Sequence, residues 1–206
     1  MKLCSRFFDI KLLYIMWIFQ LIQGCSSSPI QETGDYPQHL LKAHDQALAF
    51  MKSGQDNLAR DLLAEIYRQA PDSIGAAINL TLVEMKLDHL DAARKVLEEL
   101  AVRQPERADI VNLQGVVERK SGHFDKAEHY FIHATELDPE LPDPVLNLGI
   151  LFDLYLGNKR KALDYYERYQ ELKILRDGEK DPAAALWIAD LKRKSKNVQD
   201  IQKNAP

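Results

Sequence analysis

The sequence has few of the residues and motifs on which catalytic chemistry depends. Cysteine is scarce, with only Cys4 and Cys25 among 206 residues, which excludes a fold built on a disulfide framework. The sequence also has no phosphate-binding loop, nucleophile elbow or cysteine–histidine pairing, so it indicates no enzyme, no cofactor and no small-molecule substrate. The formal net charge is −4 and no basic stripe interleaved with aromatic residues occurs, so no nucleic-acid partner is indicated.

The apolar run at the N-terminus is also short. It extends from Leu12 to Ile22, which is 11 residues, whereas a helix needs about 20 to span a bilayer. Basic residues precede it, as in a signal peptide, and it leads into Ile22-Gln23-Gly24-Cys25. This tetrapeptide resembles the lipobox of bacterial lipoproteins, in which an aliphatic, a variable and a small residue precede the cysteine to be lipidated.

The lipobox resemblance implies a processed, membrane-anchored protein. Residues 1–24 would be a cleaved signal peptide, Cys25 the acylated first residue of the mature chain, and residues 25–36 a lipidated cysteine with a flexible tether. Ser26 rather than aspartate after the cysteine resembles lipoproteins sorted to the outer membrane, so we expect an outer-membrane anchor facing the periplasm. The mature chain would then have no free thiol. An uncleaved short anchor and an ordinary secretory signal are the alternatives.

The rest of the chain has an internal period of about 34 residues. Three prolines are spaced by 34 residues, Pro71, Pro105 and Pro139. Three alanines have the same spacing and a fourth follows at 35, namely Ala59, Ala93, Ala127 and Ala162. A large apolar residue follows each alanine, at Leu63, Leu97, Phe131 and Tyr166. A small residue precedes each alanine in the first helix of the pair, at Ala47, Thr81, Gly115 and Gly149, and lets the two helices approach closely.

Paired amphipathic helices at this period are the signature of tetratricopeptide repeats, which residues 40–175 resemble. The predicted fold is all-α, a right-handed α-solenoid of about four helix pairs with a C-terminal capping helix. Residues 37–175 would hold the repeats, at about 40–73, 74–107, 108–141 and 142–175. The cap is predicted over 176–196, opened by Asp181-Pro182, and residues 197–206 are predicted to be a disordered tail.

In this family the first helix of each pair lines a concave groove, which the resemblance places on recurring positions of this sequence. The predicted groove residues are His44, Leu48, Met51, Lys52, Ile78, Leu82, Met85, Lys86, Asn112, Val116, Arg119, Lys120, Leu146 and Ile150. Met51-Lys52, Met85-Lys86 and Arg119-Lys120 put cations beside an apolar floor, and Asn112 stands where this family often holds a peptide backbone. One interpretation is a groove for a protein or peptide segment with acidic groups. The other is that cations simply favour helix C-termini.

Histidine gives the sequence's only hint of a metal site. His129 and His133 lie four residues apart on one predicted helix, a spacing that binds zinc if a third ligand converges. No glutamate follows the first histidine as in a metalloprotease, so we interpret the pair as surface residues and predict no metal. His44, His89 and His123 are isolated in the sequence.

Two functions remain open at this point. The lipobox and the repeats together resemble small repeat lipoproteins of Gram-negative bacteria, which include pilotins of type IV pili, Flp-pilus assembly lipoproteins and adaptors of cell-wall hydrolases. The favoured prediction is a non-enzymatic scaffold that binds a partner segment in its groove and assists assembly of a pilus or secretin. The alternative is an adaptor or regulator of a peptidoglycan-modifying enzyme, for which the basic segment Lys192 to Lys196 is a hint.

Overall fold

The computed structural model describes residues 38–203, with side chains described over residues 39–196. The predicted signal peptide, Cys25 and the tether lie outside the described residues. Within residues 38–203 the chain forms nine α-helices and no strand. They are α1 (Gln38–Lys52), α2 (Asp56–Gln69), α3 (Ile74–Lys86), α4 (Leu90–Arg103), α5 (Ala108–Lys120), α6 (Phe124–Leu137), α7 (Pro142–Ile150), α8 (Lys159–Asp177) and α9 (Pro182–Lys203).

The first eight helices form four antiparallel pairs, one in each predicted repeat. Each helix packs on the next in the chain, and α5 also contacts α7, the first helix of the following pair. The second helix of a pair buries a narrow stripe, such as Ala59, Leu63 and Ile66 in α2. The first helix is buried on most sides, as α3 shows between Gly75 and Thr81. The first helices therefore lie between their own partners and the neighbouring repeats, as a helix that is apolar on most sides must.

A small residue opposite a large one sets the distance between the helices of a pair. A Cβ atom added to Gly115 would lie 2.5 Å from the ring of Phe131, which is fully buried. A Cβ atom on Gly149 would lie 2.6 Å from the ring of Tyr166. The predicted close approach is confirmed at these two positions. The aromatic ring fills the space above the small residue of its own repeat rather than only the groove toward the next one.

The turn inside each repeat depends on one residue in the left-handed conformation. Gly54, Gly122 and Gly157 supply it with φ of 73°, 80° and 67°. The second repeat has Asp88 at the same place with φ of 63°. In each of the first three turns, a backbone N–H donates to the carbonyl oxygen five residues earlier, as His123 N does to Glu118 O at 2.9 Å. This is the hydrogen bond of the Schellman motif. Asp88 is therefore strained where the other repeats have glycine.

Replacing Asp88 with glycine should stabilise the chain by about 0.5–1 kcal/mol, because an L-residue in the left-handed region costs about 1–2 kcal/mol and glycine loses more backbone entropy on folding. Equilibrium urea unfolding measures the difference. Gly122→Asp is the matched control, since a Cβ atom at Gly122 meets no other atom within 4 Å. It should lose a similar amount, and an unchanged midpoint in both variants would show that the turns are not strained.

The fourth repeat contains one extra residue, which the structure accommodates as a π-helical turn. Leu151–Tyr155 follows α7 directly, and Leu156 N donates to Leu151 O at 3.0 Å, a hydrogen bond across five residues. This turn explains why the spacing rises from 34 to 35 and why the following loop comes one residue late. Single π-turns of this kind occur frequently at functional sites.

The last helix covers the exposed side of the fourth repeat. The side chain of Asp181 caps it by accepting from Ala184 N at 2.9 Å, and Tyr169 Oη donates to the same carboxylate at 3.0 Å. Ala184 and Leu191 are buried, and Trp187 packs on Tyr166 with ring centroids 5.3 Å apart. The apolar side of α9 therefore packs against the core.

The bounds of the cap differ from the predicted 176–196. α8 continues to Asp177 and α9 extends from Pro182 to Lys203, into the segment 197–206 that was predicted to be disordered. The sequence contains no proline or glycine between Pro182 and Pro206, so no residue there breaks the helix.

Candidate functional site

The structure narrows the predicted groove, because half of the predicted residues are buried in the stack. The buried ones are His44, Leu48, Ile78, Met85, Asn112, Val116 and Arg119. The accessible or half-buried ones are Met51, Lys52, Leu82, Lys86, Lys120, Leu146 and Ile150. Helical spacing gives the side of a helix on which a residue lies, but not whether the next repeat covers that side. The second set therefore offers more accessible surface to a partner than the first.

Two of the buried polar residues hold neighbouring repeats together. Asn79 Nδ2 lies 3.1 Å from His44 Nε2, and Asn147 Nδ2 donates to Asn112 Oδ1 at 2.9 Å. Each pair joins the first helices of two consecutive repeats. The side-chain oxygen of Asn112 is therefore bound by the next repeat, and His44 is not isolated. Buried amides need such partners, because an unpaired one costs about 1–3 kcal/mol.

The cations at the ends of the first helices differ from one another. Lys86 Nζ donates to Asp56 Oδ1 at 2.8 Å, so its charge is balanced by the preceding repeat. Lys52 and Lys120 are exposed and make no ion pair within the described residues. Helix-end placement stabilises any cation, but it does not explain why one of the three is neutralised and two are not.

Arg119 lies in an aromatic sandwich at the junction of the third and fourth repeats. It is 9% exposed, and its Cζ lies 5.9 Å from the ring centroid of Phe131 and 6.0 Å from that of Tyr155. Its Nη1 is buried and has no hydrogen-bond partner within the described residues. Tyr155 belongs to the π-helical turn and also packs on Phe124, with ring centroids 5.0 Å apart. Cation–π contact offsets part of the desolvation of the guanidinium, but not its unmade hydrogen bond.

Between the second and third repeats, the structure contains a charged network that was not predicted from the sequence. Glu118 accepts from Arg94 Nε at 2.7 Å and pairs with His123 Nδ1 at 2.6 Å. Burial alone would raise the pKa of Glu118, but the hydrogen bonds from Arg94 and His123 outweigh it and hold the pKa below its ordinary value. Glu84 and His89 repeat the pairing at 2.8 Å. The 34-residue spacing of both glutamates and both histidines was the available signal, and His89 and His123 are not isolated.

His129 and His133 are the two histidines that we interpreted from the sequence as surface residues. Within residues 38–203, no cluster of three or more His, Cys, Asp or Glu side chains is arranged to hold a metal ion. His129 is exposed and lies beside Tyr130, with ring centroids 6.2 Å apart.

Three of the four basic side chains of the segment near the C-terminus make ion pairs, and two acids supply the partners. Lys192 pairs with Glu167 at 2.5 Å, and Arg193 and Lys194 both pair with Asp190 at 2.6 Å. The segment therefore gives no specific support to a peptidoglycan-directed role. None of the helices in the described part of the chain is long and apolar enough to cross a bilayer.

Helix pairs of this length, stacked through small-to-large contacts and sealed by a final helix, define a tetratricopeptide-repeat solenoid. The comparisons agree with the predicted fold class, which is confirmed. Residues 108–141 match the tetratricopeptide repeat family. No curated protein matches the chain.

Several solved structures share the fold at low sequence identity. PilF of Pseudomonas aeruginosa is 20% identical with a TM-score of 0.63, over 81% of this chain and 75% of that one. A tetratricopeptide protein of Thermus thermophilus is 18% identical with a TM-score of 0.62, over 76% and 82%. MamA of Desulfovibrio magneticus RS-1, from its residue 41 onward, is 19% identical with a TM-score of 0.57, over 82% and 98%. At these identities the likeness shows the fold alone.

Proposed function

We propose that the chain is a non-enzymatic scaffold that binds a segment of a partner protein along its first helices. Tetratricopeptide solenoids generally bind proteins or peptides. The observation that supports the proposal here is the pairing of two unneutralised cations, Lys52 and Lys120, with half-buried apolar residues on the same set of helices. Leu82, Leu146 and Ile150 are such apolar residues. A partner segment with apolar and acidic side chains complements that surface.

The proposal includes the cellular role predicted from the lipobox. The chain is anchored by acylated Cys25 in the outer membrane, faces the periplasm and assists assembly of an envelope machine such as a type IV pilus or secretin. The support for this part is the signal-like N-terminus with Ile22-Gln23-Gly24-Cys25. Two or more acyl chains make anchoring stable, since each buried CH₂ contributes about 0.8 kcal/mol.

The binding role is tested by affinity capture of the full chain from detergent-solubilised envelopes of its native cells. We expect a discrete partner that is lost when Lys52 and Lys120 are both changed to glutamate. The matched control changes Lys95 and Lys126, two exposed lysines on second helices, to glutamate. Equal recovery with both double variants would exclude binding along the first helices.

The anchor is tested by changing Cys25 to serine. We expect the protein to move from the membrane fraction to the soluble periplasmic fraction, because the acyl chains have no other attachment point in the lipobox. Cys4→Ser is the matched control and should leave the membrane fraction unchanged. Membrane retention of the Cys25→Ser protein would contradict lipidation at this residue.

A further inference from the structure

The C-terminal end of α5 carries two adjacent cations without an anionic partner among the described residues. Arg119 is nine-tenths buried, and its buried Nη1 makes no hydrogen bond there. Lys120 follows it and is exposed. A guanidinium taken out of water without a carboxylate is costly, and most buried arginines in proteins are paired. An unpaired one marks a place where a charged partner is expected.

The other repeats show that this arrangement is not a general feature of the fold. The positions equivalent to Arg119 hold Met51 and Met85 in the first two repeats. Lys86, equivalent to Lys120, is paired with Asp56. The residue that corresponds to Asp56 one repeat later is Leu90, which cannot accept a hydrogen bond. The third repeat has therefore both gained a buried cation and lost the acid that neutralises its neighbour.

An apolar shelf lies beside Arg119, produced by the π-helical turn. Three consecutive large apolar residues at its end are exposed, with Leu154 at 55%, Tyr155 at 42% and Leu156 at 38%. Tyr155 belongs to both features, because its ring covers the Arg119 guanidinium. The π-helical turn has one carboxylate, that of Asp153, which already accepts from Lys159 Nζ at 2.5 Å and from Tyr166 Oη at 3.3 Å.

We propose that this junction binds a glutamate side chain of a partner protein, with Arg119 donating to its carboxylate and Leu154 and Tyr155 covering the apolar residues that flank it. The inference rests on the proposed scaffold function and identifies the chemistry of its partner. A glutamate carries its carboxylate on two methylenes, and this spacer suits a guanidinium that is only 9% exposed beside the Tyr155 ring. A chain-terminal carboxylate has no such spacer and would have to bring main-chain atoms up to the buried guanidinium. The site therefore selects an internal acidic residue between apolar ones rather than a free C-terminus.

The test uses the full chain and an array of acetylated peptides. The first set is amidated and has one central glutamate flanked by leucine, phenylalanine or serine, and the second set has glutamine in its place. The third set is not amidated, and its only acid is the free C-terminal carboxylate. We expect binding of glutamate peptides with apolar flanks and an approximately tenfold or greater loss with glutamine, because a charge-assisted hydrogen bond is lost. Binding of none of the peptides, equal binding of glutamate and glutamine, or preference for the free C-terminus would overturn the proposal.

Arg119→Met supplies the matched variant, because methionine is the residue of the first two repeats at this position. We expect it to abolish glutamate-peptide binding while the melting temperature stays unchanged or rises, since a buried unpaired charge is removed. Lys95→Met, which changes an exposed lysine on a second helix, should leave peptide binding unchanged. Retained binding by the Arg119→Met protein would contradict the inference.

The outcome is separable from that of the scaffold proposal. If the native partner is captured equally by wild-type and Arg119→Met protein but is lost with the Lys52 and Lys120 double variant, the scaffold function holds and the glutamate site does not. If capture fails with wild-type protein while glutamate peptides bind through Arg119, the site holds and the proposed cellular role does not.

Discussion

Changing Gly115 to alanine should destabilise the chain by about 2 kcal/mol, even though alanine is the better helix former. The added Cβ would lie 2.5 Å from the ring of Phe131, which is fully buried and has no open space into which to move. Overpacking of this kind costs about 1–3 kcal/mol, and the gain in helix propensity of up to about 1 kcal/mol offsets only part of it. Equilibrium urea unfolding measures the loss.

A second substitution should recover most of that loss. The double variant Gly115→Ala with Phe131→Leu reproduces the Ala47 and Leu63 pair of the first repeat, which lie in one buried cluster. Phe131→Leu alone should also destabilise the chain, because it leaves space above Gly115. We therefore expect a favourable coupling energy of about 2 kcal/mol in the double-mutant cycle. Additive losses would show that the two residues do not set the distance between α5 and α6.

Changing Glu118 to alanine should destabilise the chain by about 3 kcal/mol. The Glu118 side chain is 7% exposed and is bound by both Arg94 and His123. Its removal leaves Arg94 Nε without an acceptor, while Nη1 and Nη2 keep their hydrogen bonds to Asp91 and Ser121. Breaking one partner of a buried ion pair costs about 3–5 kcal/mol, and the partial exposure of Arg94 places the value at the lower end. Urea unfolding at pH 7 measures it.

Glu84→Ala is the matched control, because it removes the same residue type one repeat earlier. Glu84 is bound by His89, whereas Arg60, the residue equivalent to Arg94, pairs with Asp61 instead. We expect a loss of about 1 kcal/mol, since no arginine loses a hydrogen-bond acceptor. Equal losses in the two variants would contradict the importance assigned to the Arg94–Glu118 contact.

The pH dependence of the Glu118 contribution has a definite sign. Its pKa in the folded chain lies below the ordinary value, so the ionised form is the one that stabilises the fold. The stabilisation is complete above the unfolded pKa of about 4.3 and is lost as the pH falls through the lower folded pKa. The stability difference between wild-type and Glu118→Gln protein should therefore shrink as the pH falls below about pH 4. A difference that grows in that range would contradict the assignment.

The fold was readable from the sequence because its determinants are local and repeated. The prolines at 71, 105 and 139 end repeats, and the small residues at 47, 81, 115 and 149 face large ones sixteen or seventeen positions later. The first repeat pairs Ala47 with Leu63, whereas the third pairs Gly115 with Phe131. The smaller residue accompanies the larger side chain, which indicates that the two pack against each other. Even the extra residue of the fourth repeat was visible as a spacing of 35, although the sequence did not show that a π-turn absorbs it.

The candidate site was only partly readable because it depends on contacts between repeats. The sequence placed Asn112 and Arg119 on the correct helix, but not the Asn147 side chain that occupies the first or the Tyr155 ring that covers the second. The ion pair between Lys86 and Asp56 joins residues 30 apart, and only the substitution of Leu90 for Asp56 in the next repeat distinguishes it from the unpaired Lys120. Anchoring through Cys25 and the location in the outer membrane stay predictions from the lipobox.

Site-specific photocrosslinking in intact cells tests partner binding along the first helices most directly. A photoreactive residue is placed at Leu154, which is 55% exposed beside Arg119, and in a matched protein at Val102, which is 83% exposed at the end of α4. The proposed scaffold predicts a discrete adduct from Leu154 and none from Val102. Loss of the Leu154 adduct with Arg119→Met is the additional prediction of the glutamate site. The same adducts from both positions, or an adduct from Val102 alone, would contradict the proposed scaffold.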